Sequence, residues 1–287
     1  MSSFDIQRPK VRIFYPKWSL KIVLDYLSSD VFEPLETLSL PKLTYKTVFL
    51  VTLATAARVS EVQAFSIQQG CFRENLDGSV TLLTFPGFLP KNVKPSAGGH
   101  EVTIHPLPEN EVICPVRLLK RYLCFIKPMR GRTDSAQLFV NHQQLGKRVS
   151  AVNISHWVAQ TVKCAYSWKA SRVVSSQASG SMARTEPVGG LRRTFAVNRE
   201  SGPTTTGTGG ECITSPPRLD TEDISRAAHE LRAIAASLAL RTGTSLTDVI
   251  RAVGWTSETT FGRFYLRHYG ITDGSNEAAV SASLPQI

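Results

Sequence analysis

Hydrophobic residues recur every three or four positions along most of the chain, and this spacing predicts a mainly helical protein. Residues 18–27 (WSLKIVLDYL) predict a helix with Lys21 and Asp25 on its polar face. Residues 44–58 (TYKTVFLVTLATAAR) are apolar nearly all round, which predicts a buried helix that ends at Arg58. Further helices are predicted over residues 114–126, 153–165, 224–240, 246–253 and 256–265.

Residues at the predicted helix ends have the chemistry of caps. Ser150 or Asn153 is expected to begin the helix at 153–165, since a short polar side chain can accept a free backbone N–H. Ser245 is expected to cap the helix at 246–253, and Gly254 to end it.

Three short runs have the composition of strands, and they predict a small sheet among the helices. Residues 80–85 (VTLLTF) and 101–104 (EVTI) are expected to pair as a β-hairpin. The loop between them contains three prolines and three glycines, so Lys91 and Lys94 are predicted to lie on a long tip. Residues 138–140 predict a third short strand. The expected fold class is therefore α+β, with helices around a small antiparallel sheet.

The hydrophobic periodicity stops at residues 168–222, which are dense in Ser, Gly, Thr and Pro. Such a composition cannot bury enough apolar surface to offset the entropy of ordering the chain. The sequence therefore predicts a disordered insertion here, before the helical pattern resumes at Asp223. His156, in the helix before it, is interpreted as a core or surface residue and not as a ligand.

The excess of basic over acidic residues indicates the kind of partner that the protein binds. Lys and Arg number 33 against 23 Asp and Glu, which gives a net charge of +10 and a pI of about 9.6. An excess of this size suits a polyanion, nucleic acid first and an acidic membrane second. The alternative is a basic surface with no specific partner.

Composition and cysteine usage indicate an intracellular, soluble protein. Hydrophobic residues make up 42% of the chain, no run approaches 18 apolar residues, and the start lacks a signal-peptide core. The five cysteines are odd in number, widely spaced and without a CxxC motif. They are therefore expected to be reduced thiols, mostly buried.

Candidate chemistry lies in the segment AHELR and in a buried cation far upstream. His229 and Arg232 are three positions apart, so they share one face of a helix. Arg58 leaves a buried helix and needs a partner or a ligand, because an isolated buried charge is costly. Glu61 could orient Arg58 toward a ligand, or the two could form a purely structural ion pair.

Aromatic and basic residues crowd the segment after Gly254, in which Trp255 and Tyr265 stand out. A proton-transfer group, a fixed cation and a phenol brought together can perform nucleophilic chemistry on a phosphate. Taken alone, these aromatics would more simply form core. The pattern helix, turn, helix on a basic surface could also be a DNA-reading helix-turn-helix.

Six residues follow one another in an order that resembles the catalytic residues of the tyrosine recombinase (phage integrase) family. They are Arg58 (ARVSE), Lys91 (FLPKN), His229 and Arg232 (HELR), Trp255 (GWTS) and Tyr265 (FYLR). The sequences around these residues are most similar to those of recombinases from DIRS-like and Ngaro-like eukaryotic retrotransposons. These sequences are AARVSEVQAFS, AHELRAIAASLAL and GWTSETTFGRFYLR. The resemblance covers residues 18–268 except for 168–222. HxxR alone is weak, whereas six elements in the right order and spacing are a strong signal.

The resemblance implies a phosphate-binding group of residues. Arg58 and Arg232 would grip the scissile phosphate, since guanidinium forks match its non-bridging oxygens and the charge that develops there. His229 would take part in proton transfer and hold the phosphate. Glu61 would orient these side chains.

The resemblance also implies the reacting groups. Lys91 would protonate the departing 5′ oxygen. Trp255 would donate its indole N–H toward the phosphate. Tyr265 would attack and form a 3′-phosphotyrosyl bond that keeps the bond energy for resealing, so neither a metal nor ATP is implied as a cofactor.

Two of these assignments have competitors. Tyr265 follows Trp255 by ten residues, one more than the commonest family spacing, and Tyr269 is a second phenol nearby. Tyr265 is preferred because its FYLR context matches the retroelement group. Lys94 competes with Lys91 on the same loop.

The resemblance implies double-stranded DNA as the partner, a homotetramer on two duplexes, and a nuclear location without a membrane. The expected layout is an N-terminal extension (1–43), a catalytic domain in two parts (44–167 and 223–269), the insertion (168–222) and a polar tail (270–287). Full-length members carry a separate N-terminal DNA clamp, and only about forty residues precede the helix with Arg58, so a truncated copy is expected.

Two other functions are compatible with these residues. One is a catalytically silent or host-adopted DNA-binding protein that keeps the fold and the basic surface. The other is a type IB topoisomerase, which shares much of the chemistry; the HELR and FYLR wording argues against it.

Overall fold

The computed structural model describes residues 14–89, 101–130, 136–144, 147–181, 222, 224, 226–255 and 257–268. The helices in this part of the chain are α1 (Leu20–Leu27), α2 (Leu40–Thr55), α3 (Val59–Ala64), α4 (Pro115–Arg130), α5 (Ala151–Ser181), α6 (Ala227–Arg241), α7 (Leu246–Val253) and α8 (Glu258–Phe264). The strands are β1 (Phe72–Glu74), β2 (Val80–Leu83) and β3 (Glu101–Ile104). The fold is mostly helical with a three-stranded antiparallel sheet, as the sequence predicts.

Helix α2 is the centre of the core. Twelve of its sixteen residues are buried, and it packs against α4, α5 and α6. The predicted all-round burial is confirmed, but the predicted end at Arg58 is wrong. Ala56 adopts a left-handed conformation, with φ of 46°, which stops α2 at Thr55. Arg58 becomes the residue before α3, where it faces a cleft.

The sheet has the order β1-β2-β3 and contains the predicted hairpin. Its partners include Val80 with Ile104 and Leu82 with Val102, all four of them buried. The strand β1 was not predicted, because three residues with the sequence FRE carry no usable period. The hairpin tip, with Lys91 and Lys94, lies outside the described residues.

The predicted strand at residues 138–140 is wrong. Gln137 forms only an isolated bridge with Ser66, and the Leu138 N–H donates to the carbonyl of Phe65 at 2.7 Å. The apolar side chains of this stretch are buried because they fill the core under α4, where the hydroxyl of Tyr122 accepts the Val140 N–H. Burial, and not strand pairing, accounts for the apolar run.

Helix α5 begins as predicted. Ser150 and Asn153 cap it reciprocally: each accepts the other's backbone N–H, at 3.2 and 2.9 Å. The helix ends later than predicted, however, since it continues to Ser181 and thus into the segment assigned to the insertion.

Local contacts explain the extension of α5. The ring of Trp168 packs against Tyr26 of α1 at 5.8 Å, and the guanidinium of Arg172 lies over Trp168 at 5.1 Å. The hydroxyl of Ser171 donates to the Trp168 carbonyl within the helix. The boundary predicted at residue 168 is therefore wrong for residues 168–181, and most of the remaining insertion lies outside the described residues.

The last three helices form a compact unit on the core. Helix α6 packs on α2 and α5, and its alanines allow the close approach. Ser245 caps α7 by accepting the Asp248 N–H at 3.1 Å, and Gly254 ends α7 with φ of 66°, as predicted. Ser257 caps α8 in the same way.

Four cysteines lie in the described chain as free thiols: Cys71 and Cys114 are buried, Cys164 is partly buried and Cys124 is exposed. His156 is exposed on α5, in agreement with its interpretation as a surface residue. Within the described ranges, no helix combines the length and the hydropathy needed to span a bilayer.

Candidate active site

A cleft of about 950 Å³ opens where the starts of α3 and α6 meet the segment after α8. Its lining includes Arg58, His229, Arg232 and Tyr265. These are four of the six predicted catalytic residues, and they come from parts of the chain that are far apart in sequence. The fold therefore brings two guanidinium groups, an imidazole and a phenol into one cavity.

One buried carboxylate connects the two arginines. Glu61 Oε1 accepts Arg58 Nη1 at 2.8 Å, and Glu61 Oε2 accepts the Arg58 backbone N–H at 2.7 Å. The same Oε2 accepts Arg232 Nη1 at 3.5 Å. The predicted Arg58–Glu61 pair is therefore present, and the shared carboxylate sets the direction of both guanidinium groups.

Arg232 is buried but incompletely bonded. Its side chain is 3% exposed, and Nη2 donates to the carbonyl of Val253 at 2.5 Å. Its Nε finds no hydrogen-bond partner in the described structure. Burial lowers the pKa of Arg232 to about 10, with Arg58 acting in the same direction and Glu61 opposing both. The group is therefore still a cation at neutral pH and keeps a free donor.

Trp255 packs between the arginine and the tyrosine. The Arg232 guanidinium lies 5.4 Å from the centre of its ring, a cation–π contact. The Phe261 ring lies 5.1 Å away on α8. The indole is 7% exposed, and its Nε1 has no partner among the described residues.

Tyr265 stands at the C-terminal end of α8, where its N–H donates to the carbonyl of Phe261 at 2.8 Å. Its ring is stacked on His229, with centroids 5.1 Å apart and planes inclined by 30°. The Trp255 ring is closer, at 4.5 Å. The phenol is thus held between two rings and lines the cleft with the arginines.

His229 lies on the first turn of α6, where its side chain is exposed to solvent and one face of its ring packs against Tyr265. Burial of this face lowers its pKa below the usual range, and the nearby Arg267, Arg232 and Arg226 lower it further. Glu230 opposes them. The neutral imidazole is therefore favoured near pH 7 and can accept a proton.

A further pair in the cleft was missed by reasoning from the sequence. Glu230 and Arg267 form a buried ion pair with two hydrogen bonds, Nε to Oε1 at 2.7 Å and Nη2 to Oε2 at 2.8 Å. A signal was available: Glu230 shares its helix face with Ala227 and Ile234, so a buried acid that needs a cation could have been expected.

Three of the predicted residues cannot be placed. Lys91, Lys94 and Tyr269 lie outside the described residues. Among the residues that the structure describes, no group of three or more His, Cys, Asp or Glu side chains is arranged to hold a metal ion.

No protein-family model and no curated protein matches this chain. Ten chains of solved structures do match, and one of them is the XerH site-specific recombinase bound to its difH substrate in a pre-cleavage complex. The likeness has a TM-score of 0.48 and 15% sequence identity, and it covers 93% of this chain and 54% of that chain. This chain therefore spans about half the length of that recombinase.

Proposed function

We propose that this protein breaks and rejoins DNA by tyrosine recombinase chemistry, with Tyr265 as the nucleophile. The observation that carries the proposal is the meeting of Arg58, Arg232, His229 and Tyr265 in one cleft. Arg232 and the carboxylate that orients it are 171 positions apart in the chain. Such a convergence of reactive groups is typical of an active site and unusual for a structural core.

The arginine pair supports a phosphate as the ligand. Two guanidinium groups share the single negative charge of Glu61, so this part of the cleft keeps an excess positive charge. Among the described residues, Arg232 Nε and Trp255 Nε1 are buried donors without partners. Buried polar groups are nearly always bonded, and a phosphodiester supplies the acceptors that would satisfy donors of this kind.

In the proposed reaction, the Tyr265 oxygen attacks the scissile phosphorus and the bond from phosphorus to the 5′ oxygen breaks. The phenol proton passes to His229, whose lowered pKa keeps it neutral and able to receive it. The departing 5′ oxygen takes a proton from Lys91. Attack of a 5′ hydroxyl on the phosphotyrosyl bond reverses each step and reseals a strand, so the phosphotyrosyl bond conserves the bond energy.

The same proposal extends to partners and setting. The net charge of +10 supports binding to double-stranded DNA, which should weaken steeply with salt because each phosphate contact releases counterions. The proposal also includes a homotetramer on two duplexes, a nuclear location and an origin in a DIRS-like or Ngaro-like mobile element. These parts are supported only by the sequences of the motifs.

A covalent-trapping experiment tests the reaction. The protein is incubated with a nicked suicide duplex from the ends of the parent element, denatured and examined for a protein–DNA adduct. Wild type should form the adduct, Tyr265→Phe should abolish it, and Arg58→Ala should reduce it by at least about a hundredfold. Arg251→Gln, an exposed arginine in an ion pair with Asp248 on α7, serves as the matched control.

The other outcomes are equally informative. An adduct that survives Tyr265→Phe but not Tyr269→Phe would assign the nucleophile to Tyr269. Absence of any adduct, with DNA binding retained at low salt, would contradict the proposal and favour the silent DNA-binding protein, provided that a full-length relative reacts on the same duplex.

A further inference from the structure

The segment that follows Tyr265 is fixed to α6 by a buried, bidentate ion pair. The side chains of Arg267 and Glu230 are 8% and 6% exposed, and both nitrogen–oxygen distances are below 3 Å. The two residues are 37 positions apart, so the pair joins two elements. Glu230 directly follows His229 on the helix that also carries Arg232.

Backbone bonds reinforce this attachment. The Arg267 N–H donates to the hydroxyl of Ser237 on α6 at 2.8 Å, and the same hydroxyl lies 3.3 Å from the Tyr265 carbonyl. On the other side, the His268 N–H donates to the carbonyl of Phe14 at 2.9 Å. Glu230 Oε1 also accepts the Lys17 N–H at 3.2 Å, so the pair joins the segment before α1 as well.

Helix α8 does not hold the tyrosine by itself. It has only seven residues, and a helix of this length is not stable without tertiary contacts. Tyr265 lies at its last turn, so its position depends on what anchors the chain on either side. The tilted contact with Trp255 anchors the ring, and the Arg267–Glu230 pair anchors the backbone two residues later.

The ion pair is also a costly way to add stability. Removing two charges from water costs several kcal/mol per ion, and apolar replacements of buried pairs are often neutral or stabilising. Two pairs elsewhere in the described chain avoid this cost, since the side chains of Arg73–Glu101 and Arg251–Asp248 are partly or largely exposed. A buried, forked pair instead fixes the direction in which its elements meet.

We infer that Glu230 and Arg267 are positioning residues that hold Tyr265 in the cleft of its own chain, with the phenol between His229 and Trp255. The inference rests on the proposed function, since it assigns the pair to the nucleophile of that reaction. Neither residue touches the reacting atoms. Both act through the backbone of residues 265–267.

The test compares Glu230→Gln and Arg267→Lys with wild type. Glu230→Gln keeps the shape and removes the charge, and Arg267→Lys keeps the charge and removes the fork. Glu101→Gln is the matched control, because it breaks an exposed pair on the sheet. Three quantities are measured for the full chain: the rate of adduct formation on the nicked suicide duplex, the Kd for the same duplex, and amide hydrogen exchange of residues 262–268 without DNA.

If the inference is right, both variants form the adduct at least about tenfold more slowly, because small misplacements of a nucleophile are costly. Their Kd for the duplex stays at the wild-type value, and exchange of residues 262–268 becomes faster. Glu101→Gln changes none of the three. Unchanged exchange and an unchanged rate in both variants would overturn the inference, as would an equal loss of rate and DNA affinity. If Glu230→Gln does not fold, Arg267→Lys decides alone.

The two proposals fail in different ways. Without an adduct from wild type the proposed function fails, while hydrogen exchange still shows whether the pair holds the segment. If wild type reacts and both variants react equally fast, the proposed function stands and the positioning role fails.

Discussion

The rings of Trp255 and Tyr265 lie 4.5 Å apart, centroid to centroid, with their planes inclined by 39°. The indole also contacts two other groups. The Arg232 guanidinium lies 5.4 Å from the centre of the indole ring, and the Phe261 ring lies 5.1 Å away, centroid to centroid. One buried side chain therefore sets the distance between the guanidinium of Arg232 and the phenol of Tyr265. The packing of Trp255 and its N–H are separate contributions that substitution can distinguish.

Trp255→Phe should keep an aromatic ring in the site and lose the donor, whereas Trp255→Ala should lose both. Truncation of a buried tryptophan to alanine costs about 3–5 kcal/mol of unfolding free energy. Urea denaturation should therefore show a large loss for Trp255→Ala and a small one for Trp255→Phe. In the trapping assay Trp255→Phe reports the loss of the N–H with an aromatic ring still in place. Equal stability of the two variants would contradict the packing role.

Glu61→Gln should destabilise the protein by about 3–5 kcal/mol, since it leaves two neighbouring guanidinium groups, one of them fully buried, without their shared counter-charge. Sulfate should recover part of this loss by taking the place of the carboxylate. Thermal unfolding in sulfate and in chloride at equal ionic strength measures the effect. Glu101→Gln should change stability by less than about 0.5 kcal/mol. A sulfate response no greater than that of wild type would argue against an anion site.

The His229 pKa should move in opposite directions when its charged neighbours are changed. Arg267→Gln removes a group that lowers this pKa and leaves Glu230, which raises it, so the pKa should increase. Glu230→Gln should decrease it further, because Arg267, Arg232 and Arg226 remain. NMR titration of the imidazole resonances, assigned with His229→Gln, measures both shifts. Shifts of the same sign in the two variants would be inconsistent with the site geometry.

The lowered His229 pKa also has a consequence for stability. Between the folded pKa and the ordinary value of about 6.5, the unfolded chain binds more protons than the folded one. The contribution of His229 to the free energy of unfolding is therefore fully present above about pH 6.5, and it decreases as the pH falls toward the pKa of the folded state. His229→Gln should show a weaker loss of stability over this range than wild type. His142, whose pKa burial also lowers, contributes the same trend in both proteins.

Gly254→Ala should be destabilising through the backbone alone. Gly254 has φ of 66°, and an added Cβ would meet nothing within 4 Å. The left-handed conformation costs a residue with a side chain about 1–2 kcal/mol, and asparagine tolerates it better than alanine. Urea denaturation should therefore rank glycine above asparagine and asparagine above alanine. An alanine variant as stable as wild type would show that this conformation is not required before Trp255.

Part of this structure could be predicted from the sequence because its determinants are local. The cap at Ser245 and the stop at Gly254 depend on neighbouring residues, and both were predicted correctly. The helix-ending turn at Ala56 could not be predicted, because a non-glycine residue with positive φ has no composition signal. This turn determines where Arg58 stands.

The candidate site was predictable as a set of residues and not as a geometry. The order of arginine, histidine and tyrosine along the chain indicates chemistry, but the sharing of Glu61 by two arginines depends on a contact across 171 positions. The pairing of Glu230 with Arg267 is long-range in the same sense. Long-range pairs depend on the packing of whole helices, which periodicity cannot provide.

The lining of the cleft runs from Phe14 to Arg267, almost from one end of the described chain to the other. During translation, Arg58 and its carboxylate leave the ribosome long before α6 exists, and Tyr265 follows later still. The cavity can close only when the last helix has emerged and docked, as late long-range contacts require. A nascent chain, or one ended by a premature stop before α8, would carry the arginines without the phenol. Such products would lack the proposed nucleophile.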